Sequence, residues 1–366
     1  MKEAGLKVTE DHAGNLVGRR EGKVAHAPSV IIGSHIDTVK DGGIFDGALG
    51  VIAGIEVLQT MHERNIVSNN PIEVIAFSDE EGSRFNFGMI GSRALTGKLN
   101  KNDLTRKDQD GITITEAMKD AGLDPEKIDE VTRSSESIKC YLELHIEQGK
   151  VLESHRLSVG IVSGIAGPLW MKWRITGKSG HAGATPMDLR RDPLIAFADL
   201  VKMIEHQAVT HPNTVATVGK VIVTPGGVNI IPRQVEFTLD LRNTNEPIRN
   251  KVENAIITSA HELCEKKQLT LETTTFQRIP PVPCSLEIQR IIEESCRELD
   301  IETMTLPSGA GHDGMQFYDI CPIGMIFIRS KDGISHNSAE FSSQEDCVNG
   351  TNVLYQTVLK LVTTGI

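Results

Sequence analysis

IIGSHIDTVKDGGIFDGALGVIAGIEVL, residues 31–58, sets the frame for the rest of the chain. An apolar run, Val30 to Ile32, enters a polar turn that presents His35 and Asp37. A glycine-rich loop carrying Asp46 follows, and apolar periodicity from Leu49 to Leu58 predicts a helix over roughly 47–64. In open α/β sheets, ligands bind beyond the carboxyl ends of the strands. An imidazole and two carboxylates in such a place are candidate ligand-binding groups.

Other segments repeat this design. PIEVIAF, 71–77, is a short, proline-bounded apolar strand that ends in SDEEGSRF. CYLELHIE, 140–147, alternates and reads as a strand carrying His145 and Glu147. IGMIFIR, 323–329, is a buried strand followed by the polar loop DGISHNSAEF, 332–341. PSGAGHDGMQF, 307–317, is a glycine-rich loop entering a short helix, and helices are expected at 285–298 and 344–363. The first 32 residues read as a helix remnant and two short strands, with a hairpin over 17–32. MKEAGLKV begins so abruptly that a leading portion is expected to be missing. A helical turn at 92–95, a helix at 114–121, a solvated charged tract at 124–136 and a hairpin-like pair at 151–165 complete this part.

Between them the pattern changes. LWMKWRITGKS, 169–179, alternates like an antiparallel strand, and Asp192-Pro193 opens an amphipathic helix over 192–207. Strands at 214–223 and 234–242, a helix at 247–265 and a strand at 269–276 follow. The order β-α-β-β-α-β is the ferredoxin-like pattern. The expected fold is therefore α/β, with residues 1–165 and 276–366 forming one domain and 166–275 inserted as a second.

Composition narrows the function. The 366 residues carry a net charge of -11, and only 4% are aromatic, which disfavours a nucleic-acid binder needing basic and stacking surfaces. No eighteen-residue apolar run suggests a membrane span, and no apolar signal core opens the chain, so a cytoplasmic location is expected. The six cysteines form no CxxC unit and are too sparse for a disulfide scaffold.

Five groups stand in separate loops or at strand ends: His35, Asp46, Glu81, His145 and His336. Histidine and carboxylate are ordinary ligands of borderline divalent metals. The set divides into two sites if Asp46 bridges, and Gly43 and Gly47 beside it permit close backbone approach. Of the adjacent pair, Glu81 suits a ligand and Glu80 a general base; Asp37 can orient His35 from behind. Taken singly, Asp37 and Asp46 are equally good turn formers, the glutamate pair a solvated face and His145 a core histidine. A second polar set, His181 in SGHAGATP, Asn229 in PGGVN and Arg242 ending LDLR, offers an oxyanion donor and a carboxylate clamp. Alone these are as readily a loop histidine, a turn asparagine and a surface arginine. SGAG, 308–311, could form an amide nest for an anion.

In order, GSHIDTV, GGIFDGALG, DEEGSRF, LHIEQG, GKSGHAGATPM, GGVNIIP, LDLR, PSGAGHD and SHNSAE resemble the binuclear-zinc peptidase and aminoacylase superfamily. Within it they are similar to the branch that cleaves N-carbamoyl-L-amino acids, allantoate and related ureido acids. The likeness runs from about residue 3 to 365. It implies a hydrolase-like mixed-sheet metallopeptidase domain whose inserted domain dimerises and closes over the site. It implies two divalent cations per subunit, zinc or else manganese, cobalt or nickel, on His35, Asp46, Glu81, His145 and His336, with Asp46 bridging. Glu80 would be the base, Asp37 its support, and His181 would reach across a homodimer to the transition state. Gln148, His181, Asn229, Arg242, Gly309 and Ala310 resemble the substrate-binding set, with Arg242 on the substrate carboxylate. His312 lies in the same motif without an assigned role. Family members carry several dozen further residues ahead of GNLVGR.

The expected reaction is hydrolysis of a carbamoyl carbon–nitrogen bond. An N-carbamoyl-L-amino acid is preferred as substrate over allantoate, with a dipeptidase or aminoacylase less favoured. A metal-binding module without catalysis is the contrasting class, and it leaves Glu80 without a purpose.

Overall fold

The computed structural model describes residues 1–363. The chain divides into two compact units, Met1–Ser163 with Pro283 onward, and Gly164–Val282.

The first unit is built on a nine-stranded mixed sheet. Its strands are β1 (Lys7–Glu10), β2 (Leu16–Arg20), β3 (Ser29–His35), β4 (Ile72–Phe77), β5 (Ile138–Ile146) and β6 (Val159–Ile165). After the second unit come β13 (Val282–Pro283), β14 (Thr303–Ser308) and β15 (Ile323–Ile328). The order is β1-β2-β4-β3-β5-β15-β6-β13, with β14 on β6. Strands β4, β3, β5 and β15 are mutually parallel, so their carboxyl ends lie along one edge. Every residue of β3, β4 and β15 is buried, which is why these segments read as apolar runs rather than alternating ones.

Helices α1 (Ala48–Glu63), α7 (Leu286–Glu298) and α8 (Gln344–Thr363) bury apolar faces in the sheet's main core; α2 (Ile90–Leu95), α3 (Ile114–Asp120) and α4 (Val151–His155) are shorter. Val57, Leu58 and Met61 of α1 meet Val353, Leu354 and Val358 of α8 in that core. Each such side chain contributes about 1.5–3 kcal/mol by burial. Glu73 lies wholly buried inside β4 because two guanidinium groups neutralise it, Arg19 at 2.5 Å and Arg133 at 2.6 Å.

Three expectations are corrected here. Residues 2–5 form turns, not a helix. The first hairpin joins β1 to β2, and β2 does not pair with β3, because β4 lies between them. Residues 151–155 are helical rather than half of a hairpin. The Glu147 carboxylate accepts the N–H groups of Val151 and Leu152 at 2.7 and 2.9 Å, satisfying donors that a helix start leaves open.

The second unit contains β7 (Gly167–Thr176), β8 (Gly180–His181), α5 (Pro193–Val209), β9 (Val215–Thr224), β10 (Ile230–Ile231), β11 (Gln234–Asn243), α6 (Glu246–Lys266) and β12 (Thr270–Arg278). Its long strands form an antiparallel sheet in the order β12-β7-β11-β9, and β8 pairs with β10. Strict alternation in β7 sends Leu169, Met171, Trp173 and Ile175 to one face, where α5 and α6 cover them. Lys172 and Arg174 on the other face pair with Glu236 and Glu272. Among the described residues no helix is long and apolar enough to cross a membrane.

Candidate metal centre

The parallel strands of the first unit deliver their loops to one place. His35 ends β3, His145 lies one residue from the end of β5, and Glu80 and Glu81 follow β4. Asp46 sits in the loop before α1, and His336 in the loop after β15. Asp46 Oδ1 is 3.6 Å from His35 Nε2 and 3.1 Å from His145 Nε2. Its other oxygen, Oδ2, is 3.4 Å from His336 Nε2, which is 3.5 Å from Glu81 Oε1. The donors thus form two triads, His35–Asp46–His145 and Asp46–Glu81–His336, each with its atoms within 4.8 Å of one another. One carboxylate faces both triads with different oxygens, the disposition of a bridging ligand in a binuclear divalent centre.

The imidazoles are set up to ligate. His35 Nδ1 lies 2.9 Å from the Asp37 carbonyl, and His145 Nδ1 lies 2.9 Å from the Ile146 carbonyl. Each Nδ1 therefore carries a proton, and each Nε2 faces Asp46, the orientation that backbone carbonyls impose on metal-binding histidines. Glu81 Oε1 is buried and accepts no hydrogen bond, a costly condition that a cation would relieve. Gly47 has φ +65°, and a Cβ there would lie 2.4 Å from the His35 ring, so the loop's close approach requires glycine. Asp79, Gln148 and His336 also adopt positive φ.

Charge is tightly coupled here. Burial would raise the Asp46 pKa, but hydrogen bonds from His145 and His336 hold it well below the carboxylate range. Burial would lower His145, yet Asp46 lifts it to about 9. His336 is raised chiefly by its hydrogen bond to Asp46. Dications would take over this role, since a ligating imidazole gives up its proton. Glu80 is only 9% exposed, and its Oε2 is 3.7 Å from His35 Nε2. Burial first, then repulsion from Asp313, Glu81, Glu143 and Asp37, raises it well above the usual carboxyl value.

Asp37 differs from expectation in one respect. Its backbone carbonyl, not its carboxylate, makes the short contact to His35. The carboxylate instead accepts the N–H groups of Glu80 at 3.2 Å and Glu81 at 3.1 Å, fixing both glutamates. Gln148 Nε2 donates to Asp46 Oδ2 at 2.8 Å. His312 is buried, edge-on to the His145 ring at 4.5 Å and 2.8 Å from Ser308 Oγ. Burial, then the neighbouring His145, pushes its pKa well down. Gly309 is exposed, and the Ala310 carbonyl accepts from Ser308 Oγ.

The remaining expected residues belong to the second unit. His181 Nδ1 accepts N–H groups from Gly183 and Ala184, both at 3.1 Å, which leaves the neutral ring's proton on Nε2. The carbonyl of Asn229 accepts from Ala182 N, beside the β8–β10 pair. Arg242 places Nε and Nη2 on the Asp240 carboxylate.

Sequence reasoning passed over Glu143, Asp313, Ser335 and Glu340. Glu143 is buried behind His145, accepting from Ser34, Tyr141 and Gly314 N, and Asp313 accepts from Ser92 Oγ at 2.5 Å. Glu143 had a signal: it stands two residues before His145, on the same face of a strand.

Residues 31–360 match the model of peptidase family M20/M25/M40. The chain belongs to this family. It is 52% identical over 361 residues to an N-carbamoyl-L-amino acid amidohydrolase of Geobacillus stearothermophilus, covering 99% of this chain and 88% of that protein. It is 46% identical over 364 residues to an N-carbamoyl-L-amino-acid amidohydrolase of Pseudomonas sp. (strain NS671), covering 98% and 88%. Among solved structures, an amidase of the hydantoinase/carbamoylase family from Burkholderia multivorans superposes with a TM-score of 0.94 at 34% identity, covering 100% of this chain and 88% of that one. As a member of peptidase family M20/M25/M40 with a paired cluster of histidine and carboxylate donors, the protein is a metal-dependent hydrolase.

Proposed function

We propose that the protein hydrolyses N-carbamoyl-L-amino acids to the amino acid, ammonia and carbon dioxide. The carrying observation is the buried Glu80 carboxyl, 3.7 Å from His35, beside two donor triads that share Asp46. The 52% identity to an N-carbamoyl-L-amino acid amidohydrolase supports the substrate class.

His35, Asp46 and His145 would hold one cation, and Asp46, Glu81 and His336 the other. When bound, such cations supply Lewis acidity that makes water deprotonate near neutral pH and polarises the carbamoyl oxygen. Glu80 would take the water's proton and return it to the departing nitrogen. The oxygen so activated bonds to the carbamoyl carbon as a carbon–nitrogen bond breaks. The carbamate that remains loses carbon dioxide, and one water is consumed overall. Asp37 keeps both glutamates in place through their N–H groups.

The second unit, a ferredoxin-like domain in this reading, would close over the substrate and form the homodimer. His181 from the partner would present its Nε2 proton to the developing oxyanion, an orientation the Gly183 and Ala184 N–H groups already impose. Arg242, with its plane fixed by Asp240, would hold the amino acid carboxylate. Gln148, Asn229 and the Gly309–Ala310 backbone complete the proposed substrate contacts. Six free cysteines suit a reducing compartment, in keeping with a cytoplasmic location.

Ammonia release from N-carbamoyl-L-amino acids and allantoate, and free amino acid release from N-acetyl amino acids and dipeptides, each with zinc, manganese, cobalt or nickel in turn, test this reading. The expected result is fastest release from an N-carbamoyl-L-amino acid. Faster turnover of allantoate would replace the substrate, and a cation-loaded protein inert toward all of them would overturn the proposal.

A further inference from the structure

Glu340 has no part in the chemistry above, yet it is only 5% exposed at the edge of the cluster. Its Oε1 accepts two backbone N–H groups, from Phe45 and Asp46, both at 3.0 Å. Its Oε2 lies 3.1 Å from Ser335 Oγ. Ser335 Oγ is in turn 2.9 Å from Asp46 Oδ2 and 3.2 Å from Gln148 Nε2. One carboxylate therefore ties the loop bearing Asp46 to the loop bearing His336. Gly43 leaves the room for this, since a Cβ there would lie 2.1 Å from Glu340 Oε1.

The contacts are asymmetric between the triads. Ser335 touches Oδ2, the oxygen that faces His336, and not Oδ1, which faces His35 and His145. A hydroxyl has one proton, so Ser335 donates either to Asp46 or to Glu340, while Gln148 fills its acceptor side. With Glu340 accepting that proton, Oδ2 keeps more of its charge for a cation. With Asp46 accepting it, Oδ2 is partly neutralised.

We propose that Glu340, acting through Ser335, is a positioning residue that sets Asp46 Oδ2 and selectively strengthens cation binding at the Asp46–Glu81–His336 triad. The inference rests on the two-triad reading above. Partners behind metal ligands typically change affinity by about 10–100-fold. Glu340→Gln keeps the Oε1 contacts to the two N–H groups but turns a donor toward Ser335, forcing the hydroxyl proton onto Asp46. Ser335→Ala removes the relay and leaves the backbone clamp intact.

Cobalt(II) would be titrated into the chelator-treated full chain, by calorimetry and by the visible spectrum of each bound equivalent. Wild type binding two equivalents upholds the two-triad reading independently. In Glu340→Gln, one equivalent should weaken about tenfold or more with an altered spectrum, while the other stays within about twofold. Ser335→Ala should leave both equivalents closer to wild type than Glu340→Gln does, because it forces no proton onto Oδ2. Equal weakening of both equivalents in Glu340→Gln would indicate general loosening and overturn the proposal. So would unchanged binding. Amide exchange at Phe45 and Asp46 separates a folded variant from a disrupted loop.

Discussion

Raising the pH of chelator-treated protein should loosen the first unit, and His145 should carry a separable share of the effect. Burial disfavours its charge, but Asp46 at 3.1 Å reverses this and moves the imidazole from 6.5 to about 9. Because the folded value is raised, the stabilisation is complete below the unfolded pKa near 6.5 and is lost as pH climbs through about 9. One pKa unit is worth about 1.4 kcal/mol, so about 3 kcal/mol is at stake. The depressed Asp46 pKa is the same contact seen from its partner and adds nothing to that figure. Both tryptophans, Trp170 and Trp173, lie in the second unit, so their fluorescence is the wrong probe. Amide hydrogen exchange along β5 reports the right region. The free energy of opening there should fall by about 3 kcal/mol between about pH 6 and pH 10. His145→Asn should lack this fall, and the difference removes the parallel contribution of His336. Metal binding should show the opposite trend, tightening with pH as imidazoles release protons. Identical pH profiles for wild type and His145→Asn would refute the account.

Glu80→Gln should retain both cations, measured by elemental analysis, and lose about 10²–10⁴-fold in kcat, the usual contribution of a positioned base. Arg242→Ala should lower kcat/KM about 10- to 100-fold for ureido acids, as lost hydrogen bonds to a charged group do, and spare an uncharged ureide. Mixed dimers of His181→Ala with Glu80→Gln should regain part of the wild-type rate if His181 acts across the dimer; none recovered in verified mixed dimers would place it in cis. Glu73→Ala should cost about 3 kcal/mol in denaturant unfolding of the first unit, the lower end for a broken buried pair. Arg19 and Arg133 reach solvent, so neither is left wholly buried and unpaired.

The legible parts of the fold were those in which local pattern and tertiary role agree. β3, β4 and β15 are buried on both faces, so each shows as a short apolar run, and each is followed by a polar loop. The metal-ligand candidates were visible because imidazoles and carboxylates recur in loops after separate strands, although singly each also suits a turn, a solvated face or the core. Pairing order was not visible. β2 and β3 are close in sequence, but β4 arrives from about fifty residues away to separate them. β14, TMTLPS, hides because its burial follows neither a run nor an alternation. α4 hides for a chemical reason: its first N–H groups are capped by Glu147 from the preceding strand end rather than by a serine, threonine or aspartate at its start. Glu340 looks like a solvated residue of a polar loop, since its partners, Phe45 and Asp46, are 295 and 294 positions away.

The electrostatics of the centre tie these features into one requirement. The groups that most perturb Glu80 after burial are four further carboxyls, Asp313, Glu81, Glu143 and Asp37. Asp313 and Glu143 are themselves pushed upward, burial being the first cause in each. A nest of acids sharing one buried site cannot be fully ionised unless positive charge is near. Here it comes from histidines, and His145 is held in its charged form by Asp46. Replacing protons on these imidazoles by two dications supplies more positive charge at the same oxygens. It also frees every Nε2 lone pair for coordination. The acidity of Glu80 is therefore governed by cation occupancy, which lets the carboxyl hold a proton when the site is under-charged and surrender it when the site is filled.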